Sequence, residues 1–148
     1  MVGRMSHRER MKEPVVKEVI ATEEAPRAIG PYSQAILAGD MLFCSGQIPL
    51  NPETGELVKG AIEEQTRRVL DNLGAVLREA GMDYKDVVSV TLFIDNLANF
   101  SRINEVYAEY FKDKPPARCA VEAARLPKDA GLEIALIAVR TDESSDCE

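Results

Sequence analysis

Ile134-Ala135-Leu136-Ile137-Ala138-Val139 is apolar at every position. Side chains in a strand point alternately to opposite faces, so a strand apolar at both odd and even places is covered on both sides of its sheet. The neighbouring segments show what is available to cover it. The strand runs from Leu132 to Val139; Arg118 to Ala124 precedes it as another strand, joined through Leu126-Pro127-Lys128-Asp129-Ala130-Gly131, and Val87 to Ile94 is rich in β-branched residues. Upstream, Ser33 to Ala38 and Met41 to Ser45 flank Gly39-Asp40, a two-residue hairpin connection in which glycine supplies the positive φ. Val15, Val16, Val19 and Ile20 make a first strand.

Two segments carry a helical period instead. Ile62, Val69, Leu70, Leu73, Val76, Leu77 and Ala80 recur at steps of three and four and stop at Gly81, and Phe100, Ile103, Val106, Tyr107, Tyr110 and Phe111 do the same before Pro115-Pro116. The order is therefore β-β-β-α-β-α-β-β, an α+β domain. Two helices cover one sheet face only. The second apolar face is expected to be buried by another subunit, the alternative being a long loop over the far side of the strand, since each Leu or Ile buried contributes about 1.5 to 3 kcal/mol and a bare monomer would expose a large sticky patch.

The 148 residues fit one domain. Residues 1–14 lack periodicity and read as a mobile extension, 15–141 form the folded unit, and the acidic 142–148 end is expected to fray. No apolar run approaches the roughly 18 residues of a membrane span, and the charged start lacks the apolar core of a secretory signal. Cys44, Cys119 and Cys147 show no CxxC spacing, so neither a disulfide framework nor a zinc cluster is indicated. A reducing cytoplasm is the expected setting. The net charge of −7 opposes binding to a phosphate backbone, which draws affinity from Lys and Arg.

The one histidine, His7, lies in the extension, which removes the usual residue of catalytic triads, His-ligated zinc and imidazole acid–base chemistry. The H-x-E and P-C-x-x-C signature of zinc deaminases and the glycine-rich phosphate cradles are missing too. No metal or cofactor is expected. Arginine, carboxylates, tyrosine, serine and backbone groups remain, enough to bind a small carboxylate and position a water against an already labile bond.

Four ordered motifs then carry a resemblance: Ile29-Gly30-Pro31-Tyr32-Ser33-Gln34, Ser45-Gly46-Gln47-Ile48-Pro49, Pro116-Ala117-Arg118, and Val121 to Asp129 followed by Leu132-Glu133-Ile134. Over about residues 15–140 the chain resembles the RidA (YjgF-type) reactive-intermediate deaminase family. The resemblance implies a chorismate-mutase-like fold, one mixed sheet with two helices on one face and the other face buried in a homotrimer, with sites between subunits. It also implies hydrolysis of 2-iminobutanoate and 2-iminopropanoate, and of enamines such as 2-aminoacrylate, to 2-oxo acids and ammonia without a cofactor. A 2-oxo-acid-binding regulatory module without turnover is the alternative, and an endoribonuclease or translation inhibitor a weaker one.

On residue chemistry alone, Arg118 reads either as a surface arginine at a strand start or as a bidentate carboxylate anchor; the resemblance assigns the anchor. Glu133 is either an ordinary strand-end glutamate or, partly buried before Ile134, a carboxylate of raised pKa that activates water; the resemblance assigns the second. It also places Tyr32, Ser45, Gly46, Asn104 and Ala120 at the substrate. Tyr32 could equally be a loop anchor, Ser45-Gly46 a strand-ending turn and Asn104 a polar helix residue. The family's cysteine two residues after the arginine is replaced by Ala120, and Cys119 should face away from Arg118. The loop before Pro115 is shorter than in familiar members. Counting along the chain, six strand residues, roughly 20 Å, separate Arg118 from Glu133, so the site is expected to pair Arg118 of one subunit with Glu133 of another.

Overall fold

The structure is a computed structural model that describes residues 3–10 and 13–141. After a single helical turn, α1 (His7–Arg10), come β1 (Lys17–Ile20), β2 (Ala35–Ala38), β3 (Met41–Gln47), α2 (Ile62–Glu79), β4 (Val87–Ile94), α3 (Phe100–Tyr110), β5 (Ala117–Glu122) and β6 (Leu132–Val139). The order expected for the folded unit is present. The expected frayed end at 142–148 lies outside the described residues. No helix among them is long and apolar enough to cross a membrane.

One six-stranded sheet has the order β1-β2-β3-β6-β4-β5. It is mixed: β4 and β5 run parallel, and every other neighbouring pair is antiparallel. The hairpin turns at Gly39, with φ of 62°, and Ala38 pairs with Met41 across it. α2 ends where Gly81 adopts φ of 74°; a residue in this left-handed region is a common helix stop.

The apolar stretch at 134–139 lies in β6, one of the two central strands, between β3 and β4. Leu132, Ile134, Leu136 and Ala138 are buried, and the residues between them are half-buried. The buried set aligns with Val90, Leu92 and Ile94 of β4 and with Leu42 and Cys44 of β3. Together they pack under Val69, Leu70, Leu73, Val76 and Leu77 of α2 and Ile103 and Tyr107 of α3. Both helices thus cover one face.

The other face has no covering element among the described residues. It presents Phe43 (41% exposed) and Val121 (40%) with half-buried Phe93, Ile137 and Val139. The period-2 register makes all of these co-facial, because Phe43 pairs with Ile137, Met41 with Val139, and Phe93 with Glu133.

Some boundaries differ from expectation. β1 starts at Lys17, leaving Val15 and Val16 exposed. β2 starts at Ala35, because Ser33 and Gln34 bind the far end of β3 through the Ser33 carbonyl and the Gln34 carbonyl. β3 continues past Ser45 to Gln47 through a bulge, and β5 stops at Glu122, where the chain turns away.

Candidate active site

The bulge in β3 builds one half of the site. Cys44 pairs with Leu136 and Gln47 with Ile134, so Ser45 and Gly46 together face the single residue Ala135. Such an extra residue bends its strand and re-aims its neighbours. Here it brings the Gly46 backbone against Glu133: a Cβ on Gly46 would lie 2.9 Å from the Glu133 carboxyl carbon. A side chain at 46 would force the Glu133 carboxyl to shift. Ser45 is locked in place, its hydroxyl donating to the Ser33 carbonyl at 2.6 Å and its N–H to the Gln34 carbonyl at 2.9 Å. Both Ser45 donors are therefore engaged within the chain, and Ser45 fixes the bulge.

Gln34 organises the loop above. Its side-chain amide donates to the carbonyls of Thr22, Ala25 and Pro26 at 3.0, 3.3 and 2.7 Å, and its oxygen accepts the Thr22 N–H at 2.7 Å. A buried amide with every group satisfied ties residues 22–26 to the start of β2. The loop then reaches Tyr32, whose hydroxyl accepts from the Ile29 N–H at 3.3 Å and whose ring is half exposed.

Glu133, Tyr32 and Gly46 line one cleft of about 320 Å³, together with Gln47, Arg27 and Lys128. That volume is at the small end of ligand pockets. Partial burial raises the Glu133 carboxyl above its ordinary pKa, because a low-dielectric wall disfavours the charged form. A raised pKa makes the carboxylate a better proton acceptor.

Arg118, Asn104 and Ala120 form a second group elsewhere. The Arg118 guanidinium donates from Nη1 to Asn104 Oδ1 at 2.7 Å, and its carbon lies 4.7 Å from the Tyr107 ring centre and 5.2 Å from that of Phe100. Cation–π contact with two rings plus one amide acceptor holds the fork in a fixed plane while leaving it exposed to a ligand. Tyr107 is buried, and its hydroxyl has no hydrogen-bond partner among the described residues. Ala120 packs against the core on the same sheet face as Arg118, whereas Cys119 is exposed on the opposite one. Burial pushes the Cys44 thiol up to about 12, which keeps it inert.

The two groups do not meet within one chain, although the reason differs from the count of six residues. β4 lies between β5 and β6; Arg118 is level with Val90, and Glu133 with Phe93. The offset is three residues, about 10 Å along the strands and about 10 Å across two strand spacings. More decisively, Arg118 aligns with buried Val90 on the helix side, while Glu133 aligns with Phe93 on the uncovered side. A strand between them and the thickness of the sheet separate anchor from carboxylate.

Sequence reasoning singled out neither Arg27 nor Lys128 in the cleft, nor the aromatic bed of Arg118. The bed had a signal, since Phe100, Asn104 and Tyr107 stand at i, i+4 and i+7 on one helical face. Arg27 had none, being one exposed arginine in a loop.

The chain matches the family model described as endoribonuclease L-PSP over residues 22–140. It is 56% identical over 126 residues to a RutC family protein of Pyrococcus abyssi, covering 85% of this chain and 99% of that one. It is 41% identical over 126 residues to the human 2-iminobutanoate/2-iminopropanoate deaminase, covering 85% and 92%. The structure of Escherichia coli TdcF with bound serine superimposes with a TM-score of 0.80 at 45% identity, covering 84% of this chain and 99% of that one. Matches of this extent and identity place the protein in the endoribonuclease L-PSP (YjgF/RutC/RidA) family.

Proposed function

We propose that this protein is a hydrolytic deaminase of 2-imino acids and their parent enamines, 2-aminoacrylate with 2-iminopropanoate and 2-iminobutanoate, assembled as a cytoplasmic homotrimer of the 15–141 unit. The observation that carries this reading is the division of the chemistry. A rigid, exposed guanidinium sits on one side of the sheet, and a carboxyl of raised pKa sits in a cleft on the other. A second copy, covering the apolar face that bears Phe43 and Ile137, supplies Arg118 to the cleft of Glu133.

In that arrangement Arg118 pairs with the substrate carboxylate through two parallel hydrogen bonds and sets the plane of the C=N group. Tyr32 closes the cleft. Ionised Glu133 takes a proton from water as the water oxygen bonds to the imine carbon and passes it to nitrogen, giving the carbinolamine. It then takes the carbinolamine hydroxyl proton and passes it to nitrogen as the C–N bond breaks, C=O forms and ammonia leaves. The C=N bond is replaced by C=O at the expense of one water, with no change of oxidation state. Imines hydrolyse unaided, so the 10²–10⁴-fold available from positioned acid–base groups suffices.

Homologues named as imine deaminases support the reaction class. The test is to generate 2-aminoacrylate in situ and follow its loss with wild type and Arg118→Ala, beside a mass measurement of the intact assembly. Faster loss with wild type alone, from a trimer, is the expected result; equal rates, or a fully active monomer, would overturn the proposal. The TdcF structure with bound serine favours a second reading, a binding module. Calorimetric binding of 2-oxobutanoate without any imine hydrolysis would select it. The endoribonuclease description is opposed by the net charge of −7, and RNA cleavage that is lost in Arg118→Ala would restore it.

A further inference from the structure

Arg27 and Lys128 line the cleft of Glu133, which is the only carboxylate among the lining residues. In a chain of net charge −7, a cleft with two cations against one carboxyl is a local reversal of sign. Arg27 is also placed rather than merely present. It follows Pro26, which is buried and whose carbonyl accepts the Gln34 amide at 2.7 Å, so its backbone is pinned while its guanidinium is exposed.

Arg67, Arg102 and Arg125 are taken up by Glu109, Glu63 and Asp129, whereas Arg27 makes no ion pair among the described residues. Glu23 and Glu53 border the adjoining groove that Arg27 also lines, and neither lies within ion-pair distance of it. Lys128 stands at φ of 56°, a left-handed conformation uncommon for lysine, on a turn whose amine donates to the Gly55 carbonyl at 3.4 Å. Strained positions of this kind gather at ligand-binding turns.

We propose that the cleft selects 2-imino dicarboxylic acids, the imines of acidic amino acids, with Arg27 binding the second carboxylate and Lys128 adding to its field. The inference rests on the deaminase reading. Arg118 of the neighbouring copy takes the carboxylate next to the C=N carbon, and Arg27 is left for the distal one. The reaction is unchanged: water adds, ammonia leaves, and the distal carboxylate is a spectator that contributes binding alone.

The test compares 2-iminosuccinate with 2-iminopropanoate, each made in situ by an amino-acid oxidase and trapped competitively with semicarbazide. Wild type should show kcat/KM about tenfold higher for the dicarboxylate, the size expected of a hydrogen-bonded charge pair. Arg27→Ala should lower that ratio about tenfold through KM, Arg27→Lys should keep part of it, and added salt should reduce it in wild type. A ratio that Arg27→Ala leaves intact, or a wild-type preference for the monocarboxylate, overturns the inference while the deaminase reading stands. Acceleration of neither imine by wild type removes that reading and the inference with it. Arg27 is exposed, so an unchanged melting temperature confirms that each variant is folded.

Discussion

The two faces of the sheet are built from the same strands and differ in what completes them. Under α2 and α3, Leu42, Leu92, Leu132 and Ile134 have no exposure at all, and every one of their contacts comes from the same chain. One residue further along each strand, Phe43, Phe93, Glu133 and Ala135 are half-buried or exposed. The covered face is self-sufficient and fixes the fold. The uncovered face holds the carboxyl of raised pKa beside a row of apolar side chains, so its chemistry and its stickiness are two aspects of one incomplete surface. What this teaches is that side-chain parity along each strand separates the residues that close the protomer's own core from those left for another surface, while the two candidate groups are divided between the faces, Glu133 on the uncovered one and Arg118 on the helix side.

The largest effect expected is on Arg118. Arg118→Ala should lower kcat/KM about a hundredfold or more, the loss of two charge-assisted hydrogen bonds, with little change in melting temperature because the side chain is exposed. A mixing experiment sharpens the point. Arg118→Ala and Glu133→Gln subunits, unfolded and reassembled together at equal amounts, should recover about a quarter of wild-type activity, since random assembly around a closed ring makes that fraction of interfaces intact. No recovery from well-mixed assemblies would place both residues' roles within one chain.

Next in size is the contrast of faces itself. Leu92→Ala, on the covered side, should cost about 2–5 kcal/mol of unfolding free energy, read by denaturant titration. Phe43→Ser, two strands away on the uncovered side, should instead lower the assembly mass and the activity while leaving the protomer's secondary structure in place by circular dichroism. Should the two variants behave alike, the separation of stability from assembly fails.

Gly46→Ala gives a smaller, local effect. The added methyl would stand 2.9 Å from the Glu133 carboxyl carbon and 3.1 Å from Oε2, contacts that side chains do not sustain, and the half-exposed carboxyl is the group free to move. Activity should fall by about tenfold, in the range set by displacing one acid–base group, with the oligomer intact by mass. Retention of full turnover would mean that the position of Glu133 against the bulge is immaterial.

Much of the fold was legible because it depends on periodicity. Val87–Ile94 and Leu132–Val139 have the limits read from their β-branched and apolar runs, and α3 starts at Phe100 as its apolar stripe begins. Ends set by side-chain hydrogen bonds were not legible: Gln34 and Ser45 determine where β2 starts and how β3 bulges, and polar residues in loops carry no period. The site divides in the same way. Arg118 and Glu133 were singled out as candidates through motifs, but the count of their separation assumed adjacent strands, and β4 intervenes. Arg27 becomes visible only when the loop is folded over the cleft.

The smallest effect tests whether the uncovered face carries a cost. Glu133 is raised by burial, so its folded pKa lies above the unfolded value of about 4.3, and folding takes up protons as pH rises past that value. The favourable contribution of the protonated group is complete below the unfolded pKa and disappears as pH climbs through the folded one. Once ionised, the wild type therefore bears a partly desolvated charge that Glu133→Gln does not. Glu133→Gln should melt slightly higher than wild type at pH 7, by a small margin because Glu133 is only half-buried, and the margin should close near pH 4. The same substitution should remove the acid limb of the kcat/KM profile along with most of the rate. A variant that is less stable than wild type at pH 7, or a margin indifferent to pH, would show that the carboxylate is satisfied where it lies and that the cleft needs no second subunit to complete it.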